Sequence, residues 1–229
     1  MTKFEALQDL CPEGVIGRTQ AVKNASAGLT ERELELISSA HENRIREFSS
    51  GRQLAKGVLK ELDFPVDTLG VKADRTPDWP GQILGSISHH KKTAGVVIGK
   101  RSVHLRSIGL DLEILQDIHP NFPEKVMTTN ETENCRQHSP EFSASCLATF
   151  CLKEATYKSM LEFNNQGLSF QDVEFSGWNW DTFFSGEIQT PRVDVFQAIA
   201  ERLPEGVGIH ARIATLNQEI TAVVWISPF

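Results

Sequence analysis

No run of residues in this chain is long and apolar enough to cross a bilayer. The longest, AGVVIG and AVVWI, fall far short of the roughly 20 that a spanning helix needs. The amino terminus, MTKFEALQDLCPEG, scatters charges and has no apolar core, so no secretory signal is expected there. Positive charge is also in short supply. The chain has 23 Lys and Arg against 30 Asp and Glu, and the resulting −7 argues against a surface built for nucleic acid. There are only four cysteines, Cys11, Cys135, Cys146 and Cys151, and none makes a CxxC pair. The spacing suits reduced, partly buried thiols in a cytoplasmic protein with no stable membrane insertion. No GxSxG, HExxH or GxGxxG occurs, and GVVIGKRS is one residue short of a phosphate-binding P-loop.

The chain has 229 residues, 40% of them hydrophobic, enough for one large domain or two small ones. Thr30 and Glu33 in TERELELISSA form a capping box that opens a first helix. A second helix is predicted through ENRIREFSSGRQLAKGVLKEL, with Ile45, Phe48, Leu54, Val58, Leu59 and Leu62 on one face. ILGSISHH, TAGVVIGK and SVHLRSIGLDLEI read as strands. The polar stretch QDIHPNFPEKVMTTNETENCRQHS reads as irregular. Ser139-Pro140-Glu141 then starts a long helix, EFSASCLATFCLKEATYKSMLE. FQDVEFSG, GIHARIATL and EITAVVWIS follow as strands. A long helix followed by short strands occurs twice, which suggests an α+β fold with a structural duplication.

Four groups could carry chemistry. In IGLDLEI, strand alternation puts Asp111 and Glu113 side by side on one face, where like charges repel. A Mg²⁺ ion would turn that repulsion into attraction; a solvated edge strand is the plainer explanation. In FCLKEATYKS, Glu154 and Lys158 share a helix face, an ordinary surface pair on spacing alone, though Glu154 would be the natural third carboxylate for a metal held by Asp111 and Glu113. Lys153 points elsewhere around the helix. In GSISHHKKTAG, Ser88 and His89 end a strand and could meet phosphate, with Lys91 and Lys92 beyond; a polar hairpin explains the lysines equally well. A His beside phosphate would be held protonated. Arg46, Arg52 and Lys56 on the second helix could bind phosphate or simply face solvent.

Taken in order, GSISH, IGLDLE and FCLKEATYK resemble the three motifs of the Sfp-type phosphopantetheinyl transferases. EFSSGRQLA and DRTPDWP make the resemblance strongest to the enterobactin-synthase component D branch. The resemblance implies two similar subdomains with pseudo-twofold symmetry, each a long helix on a small, mostly antiparallel sheet: residues 1–104 with the coenzyme A-binding basic residues, and 105–229 with the metal-binding carboxylates and the catalytic helix. It implies transfer of the 4′-phosphopantetheine arm of coenzyme A to a serine of an apo carrier protein, with Mg²⁺ required. Asp111, Glu113 and Glu154 then look like the metal ligands, with Asp111, Glu154 and Lys158 catalytic. Arg52, Arg75, Ser88, His89 and Lys153 look like coenzyme A contacts. Siderophore peptide synthetases are the carriers this branch favours, and a monomer is the family expectation. The segment HPNFPEKVMTTNE, with Phe122, Val126 and Met127, either docks the carrier or closes the core. A Mg²⁺-dependent phosphohydrolase or nuclease, or a non-catalytic nucleotide-binding module, could use the same residues.

Overall fold

In the computed structural model, which describes residues 3–23, 28–73, 75–163 and 167–229, strand β1 (Val15–Ala21) is followed by the short helix α1 (Glu31–Glu35) and the long helix α2 (Glu42–Glu61). Strands β2 (Ile83–His89) and β3 (Thr93–Lys100) complete the first half. The second half starts at β4 (Ser107–Ile114) and passes through α3 (Phe122–Val126), α4 (Thr129–His138) and the long α5 (Phe142–Ser159). A small hairpin of β5 (Val173–Ser176) and β6 (Arg192–Val195) carries α6 (Trp180–Phe184) in its connection. Helix α7 (Gln197–Ala200) leads into β7 (Val207–Leu216) and β8 (Glu219–Pro228).

The duplication is visible in the strand pairing. In the first half the sheet runs β1-β3-β2, and in the second it runs β4-β8-β7, all antiparallel. Each half is therefore strand, long helix, strand, strand, with the last strand in the middle. This is an α+β fold of two similar subdomains, as expected.

Strand alternation decides what each sheet face meets. Val96 and Ile98 of β3 join Ala55, Val58 and Leu59 of α2. Val97, between them, joins Leu84, Leu110, Leu112 and Val223 in a core shared by the two sheets. On the far side of the second sheet, Ala222, Val224 and Ile226 pack on Leu147, Cys151, Leu152 and Ala155 of α5. The result is a layered order of helix, sheet, sheet, helix. All four cysteines are buried and free. Among the described residues no helix is long and apolar enough to cross a membrane.

Three local readings need correction. Helix α1 stops after Glu35 rather than running through TERELELISSA; its cap is as read, with Thr30 Oγ1 accepting from Glu33 N–H at 3.4 Å. The irregular stretch holds two helices. A second capping box, Thr128-x-x-Glu131, starts α4, which hides only Glu131 and Cys135, so its apolar stripe was too thin to register. Strand β1, absent from the elements expected above, has its strand formers Val15, Ile16 and Thr19 split by Gly17, which is needed because a Cβ there would lie 2.6 Å from the Cys11 sulfur.

Candidate active site

Ile108, Leu110 and Leu112 of β4 face the shared core, so Gly109, Asp111 and Glu113 face α5. Gly109 sets how closely the helix approaches. A Cβ at that position would sit 1.9 Å from the Ala155 carbonyl oxygen. That contact holds Glu154 and Lys158, on either side of Ala155, over the two β4 carboxylates.

Lys158 Nζ donates to Asp111 Oδ1 at 2.6 Å and to the Leu110 carbonyl at 3.0 Å. Ser88 Oγ, reaching across from β2, donates to the same Asp111 oxygen at 2.9 Å. It also accepts from Lys158 Nζ at 3.2 Å and from Leu112 N–H at 3.2 Å. Ser86, two residues earlier, accepts from Leu110 N–H at 3.0 Å. Asp111, Ser88 and Lys158 thus meet where the two halves join.

The carboxylates sense one another. Burial raises Glu113 most, and the Asp111 charge adds to it, with Lys158 opposing; the carboxyl is pushed up to about 7. Glu154 is raised by burial and then by Asp111, again against Lys158. The three nevertheless do not stand as a ready-made ligand set. Among the described residues no three His, Cys, Asp or Glu side chains close on one point that could hold an ion, and Asp111 Oδ1 is engaged by Lys158 and Ser88. The chemistry still fits a hard cation. The donors are all oxygen, and Asp111 Oδ2 is buried with no hydrogen-bond partner.

Beside this group a cleft of about 180 Å³ opens between the halves. Lys72, Arg75, Trp79, Ser86, Lys158 and Glu162 are among its lining residues. Arg75 sits in the left-handed region, at φ 67°, within a tight loop where its N–H bonds the Lys72 carbonyl at 2.9 Å. Asp74 of the DRTPDWP motif lies outside the described residues. Trp79 packs so closely on β2 that a Cβ at Gly85 would lie 2.7 Å from its ring.

Other expected contacts sit elsewhere. Arg52 is 3% exposed; its guanidinium donates to the Leu69 and Gly70 carbonyls and lies 4.8 Å over the Phe48 ring. It anchors the start of the loop that carries Lys72 and Arg75 and does not line the cleft. Lys153 is 1% exposed and donates to Glu131 Oε2 at 2.6 Å and to the Phe170 carbonyl at 2.7 Å. One residue along a helix turns the side chain by about 100°, which takes Lys153 into the core while Glu154 faces β4. His89, at the end of β2, stands beside Arg44 of α2. Its Nε2 lies 2.6 Å from Arg44 Nη1, and burial, then Arg44 and Lys158, lower its pKa to about 4. Even with Glu47 Oε2 3.4 Å from its Nδ1, the imidazole therefore favours the neutral form near pH 7. Val126 and Met127 are buried, and Phe122 packs edge-on against Phe150, so this segment closes the core.

Arg44, Glu131, Lys72, Trp79 and Glu162 were missed. Glu131 was open to detection as the fourth residue of its capping box. Arg44 lies two residues from the Arg46 that was singled out.

Two family models match adjoining stretches: residues 32–99 fit a 4′-phosphopantetheinyl transferase N-terminal domain, and residues 107–205 fit the 4′-phosphopantetheinyl transferase superfamily. The chain belongs to the 4′-phosphopantetheinyl transferase superfamily. Among its relatives are the 4′-phosphopantetheinyl transferase PptT of Mycobacterium tuberculosis, 31% identical over 149 residues, and Npt of Nocardia iowensis, 28% identical over 147. Each match covers 63% of this chain, with 63% and 64% of the respective relatives. Enterobactin synthase component D of Escherichia coli is 27% identical over 146 residues, covering 62% of this chain and 66% of that protein. The chain thus spans just under two thirds of the length of these superfamily members. A holo-ACP synthase structure from Plasmodium yoelii aligns with 56% of this chain and all of its own, at 22% identity and a TM-score of 0.42, too distant to decide anything.

Proposed function

We propose that this protein moves the 4′-phosphopantetheine group of coenzyme A onto a serine hydroxyl of an apo carrier protein, releasing adenosine 3′,5′-bisphosphate. The observation that carries this reading is the meeting of Lys158, Asp111 and Ser88 at the head of a cation-lined cleft between two halves, in a member of this superfamily. In this reading residues 1–104 supply basic contacts and 105–229 the carboxylates and the helix that acts on the substrate.

Asp111, Glu113 and Glu154 would hold Mg²⁺, which would neutralise the diphosphate of coenzyme A. Glu154 takes the proton of the carrier serine, directly or through a water; burial and the Asp111 charge raise its pKa, which makes it a stronger base than a free carboxylate. Lys158 stabilises charge growing on the phosphoryl oxygens, and the Asp111 and Ser88 contacts aim its Nζ. Lys72 and Arg75 attract the anionic substrate along the cleft, and Trp79 offers an aromatic face there. His89 and Arg44, side by side, form a second place for phosphate; an anion there would favour protonation of the His89 imidazole. The proposed acceptors are siderophore or other non-ribosomal peptide synthetase carriers, supported by the motif likeness to the enterobactin branch.

The test mixes the purified protein with coenzyme A, Mg²⁺ and a panel of apo carriers, and follows intact carrier mass. A gain of one phosphopantetheine, lost on adding chelator, is expected. Phosphate release from nucleotides with no change in any carrier would favour a phosphohydrolase instead.

A further inference from the structure

The cleft that receives coenzyme A in the reading above contains one feature that an anion-binding site does not need. Among its described lining residues Glu162 is the sole carboxylate. It lies on the 3-10 turn Met160–Phe163 that continues α5, so it belongs to the second half. Its two oxygens serve two cations of the first half. Oε1 is 3.8 Å from Lys72 Nζ, and Oε2 pairs with Arg101 Nη2. Lys72 lies in the loop between α2 and β2, and Arg101 directly follows β3.

We propose that Glu162 is an internal counter-ion of the substrate cleft: it engages Lys72 and Arg101 until a multiply charged phosphate ligand displaces it, and so sets how strongly and how selectively the cleft takes anions. The inference rests on coenzyme A binding in this cleft. Three observations support it. Glu162 shares the cleft with Lys72, Arg75 and Lys158. It is paired with the cations nearest it rather than pointing away. The side chains of Lys72, Arg101 and Glu162 are 45%, 37% and 31% exposed, so water weakens their pairing and leaves it easy to exchange.

The physical consequence is selectivity. A ligand bearing several phosphate charges meets Lys72, Arg75 and Lys158 together and can outcompete one carboxylate. A ligand with a single phosphate meets fewer cations and is held off by the Glu162 charge. Replacing Glu162 with Gln keeps the shape and removes that charge.

Calorimetric titration of the full chain with coenzyme A and, separately, with inorganic phosphate tests this. For E162Q, coenzyme A should bind roughly two- to fivefold more tightly, the size expected for an exposed ion pair. Its affinity should fall more steeply with salt, and the preference for coenzyme A over phosphate should narrow. Lys72→Met should weaken coenzyme A binding more in the E162Q background than in the native chain, because only there is Lys72 unshared. This coupling keeps the idea open to refutation even if E162Q is somewhat less stable. Native protein that fails to bind coenzyme A would overturn the functional reading, and this inference with it. Native protein that binds, with E162Q binding no tighter or with additive Lys72 and Glu162 effects, would overturn the counter-ion role alone.

Discussion

Lys158 on α5 and Asp111 on β4 form an ion pair of 2.6 Å, and Ser88 on β2 bonds both partners. One contact therefore joins a strand of each half to the long helix of the second. Lys158 is a quarter exposed while the Asp111 side chain is buried, so Nζ can reach a ligand but also supplies the cation that buried Asp111 needs. Lys158→Met is expected to cut phosphopantetheine transfer about 10²–10³-fold, measured per folded molecule, and to lower the melting temperature because Asp111 loses its cation. Turnover within a few fold of the native chain would remove Lys158 from the chemistry.

Gly109 is the point of closest approach between β4 and α5. An added methyl would overlap the Ala155 carbonyl oxygen, backbone that cannot rotate away. Gly109→Ala should lower the urea midpoint by the equivalent of about 1–3 kcal/mol or more, and should cost turnover because Glu154 and Lys158 are carried off β4. An unchanged midpoint with full activity would show that the helix does not depend on this contact.

The buried pair of Glu131 and Lys153 offers a different test. Glu131 also accepts from Thr128 N–H and Phe175 N–H, both at 2.8 Å. Burial raises Glu131 and lowers Lys153, each offset in part by the other's charge. Lys153→Met alone leaves a buried carboxylate without its cation and should destabilise the fold by about 3–5 kcal/mol. Adding Glu131→Gln should recover part of that loss, which a double-mutant cycle of unfolding free energies would measure. Equal and additive losses would mean that the two side chains are not coupled.

His89 gives stability a pH dependence of known sign. Its pKa is near 4 in the folded chain against 6.5 for a free imidazole, with burial first and then Arg44 and Lys158 opposing its protonation, and Glu47 3.4 Å from Nδ1. The unfolded chain therefore binds a proton at higher pH than the folded one does. The His89 contribution is fully present above pH 6.5 and is lost as pH falls toward 4. His89→Gln should flatten the melting-temperature profile between those limits; an unchanged profile would place the proton elsewhere.

Much of the architecture could be read from local pattern. The alternation in IGLDLEI, the cap at Thr30 and the apolar stripe of α2 all mark elements that bury one face. The pairing of Asp111 with Lys158 was not legible, because 47 residues separate them and only the crossing at Gly109 brings them together. Lys153 and Arg52 misled for a related reason. A cation in a motif reads as a ligand contact, and a buried carboxylate or a pair of loop carbonyls that claims it is invisible until the chain is folded. Glu113 shows the converse: burial raises its pKa most, and the Asp111 charge that strand alternation put beside it adds to the rise.

Ser86 and Ser88 stand where a backbone ladder would otherwise run. Between β2 and β4 the link is made by their hydroxyls, which take the Leu110 and Leu112 amides, and the two strands belong to separate sheets. Each sheet's main-chain ladder is therefore complete without the other, and what crosses the seam is two hydroxyls and the apolar core the sheets share. The amide protons of Leu110 and Leu112, held by side-chain oxygens, are expected to exchange with solvent faster than those of β8 beside them.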